Sequence, residues 1–165
     1  RTLYLYFNNK DEVSLAVASD TLARLRSDIE EAAKSAGRAL ERLKAVIDVY
    51  LALHRQDPSS FQVILNFDMS VRAVGERHEL VGRCYEEIAR IRRLVEGLLI
   101  EGATDGSMRT FANPGRAAAT LVTMVHSTLQ CAVSSSNILV GSLSLEPNAY
   151  IDTAFEIIMN YLPAV

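Results

Sequence analysis

The feature that most constrains this chain is a stretch without charge. From Ala117 to Leu145 there is no Asp, Glu, Lys or Arg, a run of 29 residues. A membrane-spanning helix needs about 20 predominantly apolar residues. This run is too polar for that: it holds Thr120, Thr123, His126, Ser127, Thr128, Gln130, a triple serine at 134–136, Asn137 and Gly141. It therefore reads as buried in protein, with no membrane partner. Its apolar residues recur at helical spacing. One seam is Ala118, Leu121, Val122, Val125, Leu129 and Ala132, and a neighbouring one is Ala119, Val122, His126, Leu129 and Val133. A helix on the outside of a monomer carries a charged face, and this one has none. Two covers fit: the chain's own core on one side and a second subunit on the other, or a central place in a single bundle.

The rest of the chain has the same period. The spacing predicts helices over 10–36, 38–56, 58–74, 77–100, 114–134 and 147–162, punctuated by Gly37, Pro58, Gly75, the Gly102–Gly106 loop, Asn113-Pro114 and Pro147. The segment between Ser134 and Glu146 reads as a link. Strand-like alternation is not sustained anywhere, so the expected fold class is all-α. At 165 residues, 49% of them hydrophobic, the chain is long enough for one sizeable core. Its net charge of −3 excludes a protein that coats nucleic acid indiscriminately, so any such contact must be local. The last predicted helix carries only Asp152 and Glu156 as charges. With the uncharged helix it forms the expected homodimer surface, through Leu121, Val125, Thr128, Leu129 and Ala132 on one helix and Ile151, Phe155 and Ile158 on the other.

Catalytic and metal chemistry find no support. His54, His78 and His126 lack the i, i+4 spacing of a zinc site. Neither a Cys-x-x-Cys nor a Gly-x-Ser-x-Gly occurs, and there is no Gly-rich phosphate loop. Cys84 and Cys131 both sit in apolar helical patterns and read as reduced core thiols. No enzyme, cofactor or metal is expected. Polar groups on apolar faces are the better clue, because a ligand pocket needs apolar walls with a few placed polar groups. His54 shares a stripe with Ile47 and Tyr50. His126 lies beside Val122 and Leu129, with Gln130 one turn on. Phe61, Leu65, Asn66 and Met69 lie on the third predicted helix, and Tyr85 on the fourth. For each His, a satisfied core or interface position is the commoner role.

The first residues carry a motif. Thr2-Leu3-Tyr4-x-Tyr6-Phe7-x-x-Lys10-x-x-Val13 resembles the end of the recognition helix, the turn and the start of the linking helix in the TetR family of bacterial transcriptional regulators. Val13 stands where that family usually has Leu. The family has a helix-turn-helix DNA-binding domain followed by a helical effector-binding and dimerisation domain. The resemblance implies that residues 1–12 end the former and that 13–165 are the latter. Two earlier helices and the start of the third would then belong to the intact protein. It implies that Thr2, Tyr4, Tyr6 and Lys10 contact operator phosphates and that Arg1 reaches a base edge or a phosphate. Tyr4 has the alternative of packing the small domain's core, where Phe7 also belongs. A Lys at a helix N-terminus opposes the helix dipole, which a bound phosphate would explain. The function implied is a cytoplasmic, ligand-responsive repressor whose homodimer binds a small, mainly apolar effector at His54, Phe61, Leu65, Asn66, Met69, Tyr85, His126 and Gln130. The alternative is a helical protein-interaction module without an effector.

Overall fold

A computed structural model describes residues 7, 9–134 and 136–164. The described residues form eight helices and no strand: α1 (Lys10–Ala32), α2 (Ala39–Gln56), α3 (Pro58–Leu65), α4 (Phe67–Val74), α5 (Glu79–Thr104), α6 (Pro114–Ser134), α7 (Ser136–Leu143) and α8 (Pro147–Tyr161). The all-α expectation holds. Contacts group them into two compact units, one of residues up to 32 with 48–91, the other of 33–47 with 92 onward. The helices α2 and α5 each contribute to both.

In the first unit α1 opens on a side-chain cap. The side chain of Asn9 accepts the Glu12 N–H at 2.9 Å, which satisfies one orphan donor of the first turn. From there Leu15, Ala18, Leu22, Leu25 and Ile29 recur by threes and fours and are all at most 2% exposed. That stripe faces α3 and α4. The expected third helix is in fact two. At Asn66 the backbone turns to φ −92°, ψ 6°, and its N–H reaches back to both Gln62 O and Ile64 O, so the helix closes there and restarts at Phe67. The break lets Phe61, Ile64 and Leu65 on one piece and Phe67, Ser70 and Val71 on the other all turn inward. The fully buried thiol of Cys84 lies 3.8 Å from the Leu15 carbonyl, as a weak donor to it.

The second unit is closed by a polar latch. Asp105 accepts the N–H groups of Ala39 at 2.9 Å and Ser107 at 2.8 Å, and the Ser107 hydroxyl accepts the Leu40 N–H at 3.2 Å. The Arg38 guanidinium donates to the Asp105 carbonyl at 2.7 Å. The α5–α6 loop thus supplies the cap that the start of α2 lacks. Those donors hold the Asp105 carboxyl down at about 2. Gly106 allows the turn with φ +70°, and Gly102 lies so close to Met108 that a Cβ there would overlap its side chain. The Asn113 side chain caps α6 by accepting the Arg116 N–H at 2.8 Å, as the Asn113-Pro114 pair predicts. The link expected between α6 and α8 contains α7, whose Leu139 is buried.

Candidate functional site

Two places in the molecule gather the features of a binding surface, one in each unit. The first is an aromatic cluster. Tyr50 and His54, one turn apart on α2, both meet the ring of Phe61 on α3 edge to face, with centroids 6.2 Å and 5.3 Å apart. Phe61 and Leu65, one turn on, are buried. Burial pushes the Tyr50 hydroxyl up to about 12 and, with a smaller push from the Arg55 charge, lowers the His54 imidazole below its ordinary value. His54 is therefore neutral at pH 7. Its Nδ1 is buried and finds no hydrogen-bond partner among the described residues. A neutral imidazole against an apolar wall, with one ring nitrogen unspent, is the kind of placed polar group that orients an apolar ligand.

The remaining expected ligand residues are distributed differently. Asn66 is exposed, and Met69 is 71% exposed on α4. Tyr85 is 47% exposed and stands edge to face with Phe67 at 5.4 Å. His126 is half-buried and Gln130 exposed, both on α6 in the second unit. The structure brings His54, Phe61 and Leu65 together and leaves Asn66, Met69 and Tyr85 facing outward. Of the expected DNA-contacting residues, Arg1, Thr2, Tyr4 and Tyr6 lie outside the described residues. Lys10 is exposed at the first position of α1.

The expected dimer residues lie inside the single chain. Leu121, Val125, Thr128, Leu129, Ala132, Ile151, Phe155 and Ile158 are all between 0% and 8% exposed within the single chain. They form the seam in which α6 packs on α8. The strongest hydrophobic stripe on each helix found its partner on the neighbouring helix, so whatever covers the outer faces must meet other residues.

Those other residues define the second place. Along the outer side of α6 and α8 runs a groove of about 630 Å³. Leu99, Leu121, Ile158 and Leu162 form its buried floor. Phe111, Met124, Ile157 and Tyr161 form its rim, with Met124 45%, Ile157 65% and Tyr161 59% exposed. Arg116 is the one charged residue among the described residues of the lining. A shallower groove along Ala119, Thr123 and Ser127 joins it through Thr120 and Met124. The end of α8 is fixed from the side: the Arg109 N–H donates to the Leu162 carbonyl at 2.9 Å, and its guanidinium lies 4.1 Å from the centre of the Tyr161 ring. The signal for this surface was present in the sequence as a second flank on α6, Ala117, Thr120 and Met124, spaced by three and four. It is weaker than the core stripe because two of its three residues are small.

Among the described residues no group of His, Cys, Asp and Glu could hold a metal ion. No helix there is long and apolar enough to cross a membrane. No family model and no curated protein matches the sequence. Solved structures do match its fold. The fatty acid degradation regulator FadR from Bacillus halodurans is similar over 96% of this chain and 79% of its own, with a TM-score of 0.61 and 19% identity. A FadR from Bacillus subtilis, solved in complex with stearoyl-CoA, is similar over the same shares with a TM-score of 0.63 and 19% identity. A Pseudomonas aeruginosa PAO1 protein described as a transcriptional regulator is similar over 95% of this chain and 71% of its own, at a TM-score of 0.58 and 18% identity. The helical architecture of this chain is thus one that transcriptional regulators share.

Proposed function

We propose that this chain is the effector-binding and dimerisation part of a ligand-responsive transcriptional repressor of the TetR type, acting on DNA in the cytoplasm. The observation that carries the reading is the match of nearly the whole chain to regulator structures, joined to the Thr2–Val13 motif. Residues 1–12 end a helix-turn-helix domain and 13–165 form the regulatory domain. Arg1, Thr2, Tyr4, Tyr6 and Lys10 face operator DNA, and the protein works as a homodimer through its last two helices.

The mechanism follows from α1. It starts where the DNA-binding segment ends, and its buried stripe lies on α3 and α4. An effector that fits one arrangement of those helices better than another shifts α1. In a dimer that changes the separation of two recognition helices, which must match half-sites about 34–36 Å apart. The effector moves the equilibrium only by its difference in affinity for the two arrangements. The effector is mainly apolar: the His54–Phe61–Leu65 cluster offers apolar walls and one neutral polar group, and the similar FadR structure holds stearoyl-CoA. Asn66, Met69 and Tyr85, of the same unit, complete the proposed contact set there.

The test is a gel shift with genomic fragments selected by the intact protein. Long-chain acyl-CoA thioesters, added at increasing concentration, are expected to release the DNA, and His54→Ala to raise the concentration needed about tenfold, the worth of about 1.4 kcal/mol. Sequence-specific DNA binding that no apolar effector alters would overturn the effector part. Absence of any specific DNA binding would overturn the whole reading.

A further inference from the structure

A single imidazole stands between the starts of two helices in the first unit. His78 holds the N-cap position of α5: its carbonyl accepts the N–H groups of Val81 at 3.0 Å and Gly82 at 3.2 Å, and its Nδ1 accepts the Leu80 N–H at 3.3 Å. The proton of the neutral ring is therefore on Nε2, and Nε2 lies 3.6 Å from Glu12 Oε1. Glu12 is in the first turn of α1 and is only 9% exposed. We infer that His78 is a proton-operated clamp on the entry of α1: charging the imidazole tightens its hold on Glu12 and fixes the direction in which α1 leaves the DNA-binding segment. That role rests on the reading of α1 as the helix that carries this segment. It adds proton concentration as a signal separate from the effector.

The ring has two tasks that protonation sets against each other. As a cap for α5 it needs Nδ1 bare. As a partner for Glu12 it gains from a positive charge. At 3.6 Å Nε2 is past hydrogen-bond reach, so the neutral ring holds the carboxylate loosely. A charge-assisted hydrogen bond to a carboxylate is about twice as strong as a neutral one, and the cap given up for it is a long one. The corner itself leaves room for the change. Gly75, at φ +92°, turns the chain out of α4, and the His78 N–H donates to its carbonyl at 3.2 Å. The imidazole thus sits on a short turn, and its movement disturbs no core stripe.

Burial of Glu12 needs a reason of its own. A buried carboxylate lowers stability relative to an apolar residue of the same size. The dipole at the first turn of α1 offsets part of that. A switch needs such a residue where a core does not. The charges around the pair lie nearer to water. On α1, Lys10 is exposed and Asp11 half-buried. At the corner Glu76 and Arg77 are exposed, and on α5 Glu79 and Arg83 pair with each other at 2.7 Å. The charges of α4, Asp68 and Arg72, are exposed as well. Solvent screens all of these more than it screens Glu12.

Hydrogen exchange of the full chain reads the clamp without DNA. Protection of the first-turn amides of α1, corrected for the intrinsic rate, is expected to rise about threefold to tenfold from about pH 8 to about pH 6, where an ordinary imidazole charges. His78→Asn keeps a good helix cap and loses the charge, and Glu12→Gln keeps the shape and loses the carboxylate. Both are expected to lose the pH response. His78→Lys supplies a fixed positive charge and is expected to hold the protected level at both pH values. In gel shifts of the intact protein, operator affinity is expected to rise by a similar factor in the wild type and to stay constant in the variants. The double variant is expected to be no worse than either single one, the mark of one shared interaction. Protection independent of pH in the wild type overturns the inference. So does a pH response that survives both His78→Asn and Glu12→Gln, or an operator affinity indifferent to pH when protection is not. If protection responds as expected and no specific DNA binding is found, the clamp stands and the regulatory reading falls. If effector releases DNA while neither protection nor affinity depends on His78, the clamp falls and that reading stands.

Discussion

The two units of the molecule are dressed for different surroundings. The first pairs charges on its surface, Arg26 with Glu30 and Glu87 and Arg90 with Glu87, and sets the buried Glu12 beside the imidazole of His78. Each pair is worth little, but together they mark a surface built for water. The second has charges in the latch around Asp105, in the Arg42–Glu101 and Arg92–Glu96 pairs and at Asp152 and Glu156 of α8. Its α6 has no charge beyond Arg116. Both units bury a helical stripe of the same kind. What differs is the face that the core does not use.

The largest expected effect separates the two sides of α6. Leu129 is fully buried in the α6–α8 seam, and Met124, little more than one turn earlier, is 45% exposed on the groove. Leu129→Ala is expected to cost about 2–5 kcal/mol of folding stability, through lost burial and the cavity left behind. Met124→Ala is expected to stay within about 0.5 kcal/mol for the unassociated chain. Urea denaturation at low protein concentration checks both. Equal losses would erase the distinction between seam and groove.

The latch provides a smaller and pH-dependent effect. Its hydrogen-bond donors, first the Ala39 N–H and then Ser107, hold the Asp105 carboxyl at about 2, below its ordinary 3.8. A carboxyl lowered in the folded state stabilises above its unfolded value, and that contribution fades as pH falls from about 4 to about 2. Asp105→Ala is expected to lower the melting temperature at pH 7 and to differ from wild type progressively less as pH falls through that window. A constant difference at all pH values would show that the loop holds α2 by shape rather than by charge.

How far the sequence foretold all this depends on which signal a residue sends. Helix existence was legible because Leu15, Leu22 and Ile29, or Val81, Cys84 and Ile91, repeat at a period nothing else explains. The helix starts at Asn113-Pro114 and Pro58 were legible because their chemistry is local. The break at Asn66 was not: Phe61, Leu65 and Met69 keep helical spacing across it, and only the tertiary packing of Phe67 and Val71 selects two short helices. α7 was missed for a related reason. Its serines and glycine read as a loop, but Leu139 is buried and the segment contacts α6 and α8. Hydrophobic periodicity reports the best-buried stripe without saying what buries it, so the sequence alone does not tell the α6–α8 seam from an interface. The absent charge, by contrast, pointed to a face that the core does not use, and exposure then showed which flank is open. The aromatic cluster was half legible: His54 and Phe61 lie on different helices, and their ring contact is a property of the fold.

The smallest expected effect belongs to that cluster and tests whether the polar group in the first unit behaves as buried. His54 is lowered from its ordinary 6.5 chiefly by burial, then by the charge of Arg55. The unfolded chain therefore takes up a proton at His54 before the folded one does. Stability is full above pH about 7 and declines as pH drops below the unfolded value near 6.5. His54→Leu keeps the apolar contact with Phe61, removes the unpartnered Nδ1, and is expected to flatten the stability profile between pH about 7 and 5. Because the residue is only half-buried, water screens the change and the difference should be a modest shift of the midpoint rather than a loss of the fold. An apolar ligand that covers His54 would desolvate it further, so bound effector should steepen the wild-type decline and leave His54→Leu unaffected. Parallel profiles for the two proteins, with and without ligand, would place the effector away from this cluster.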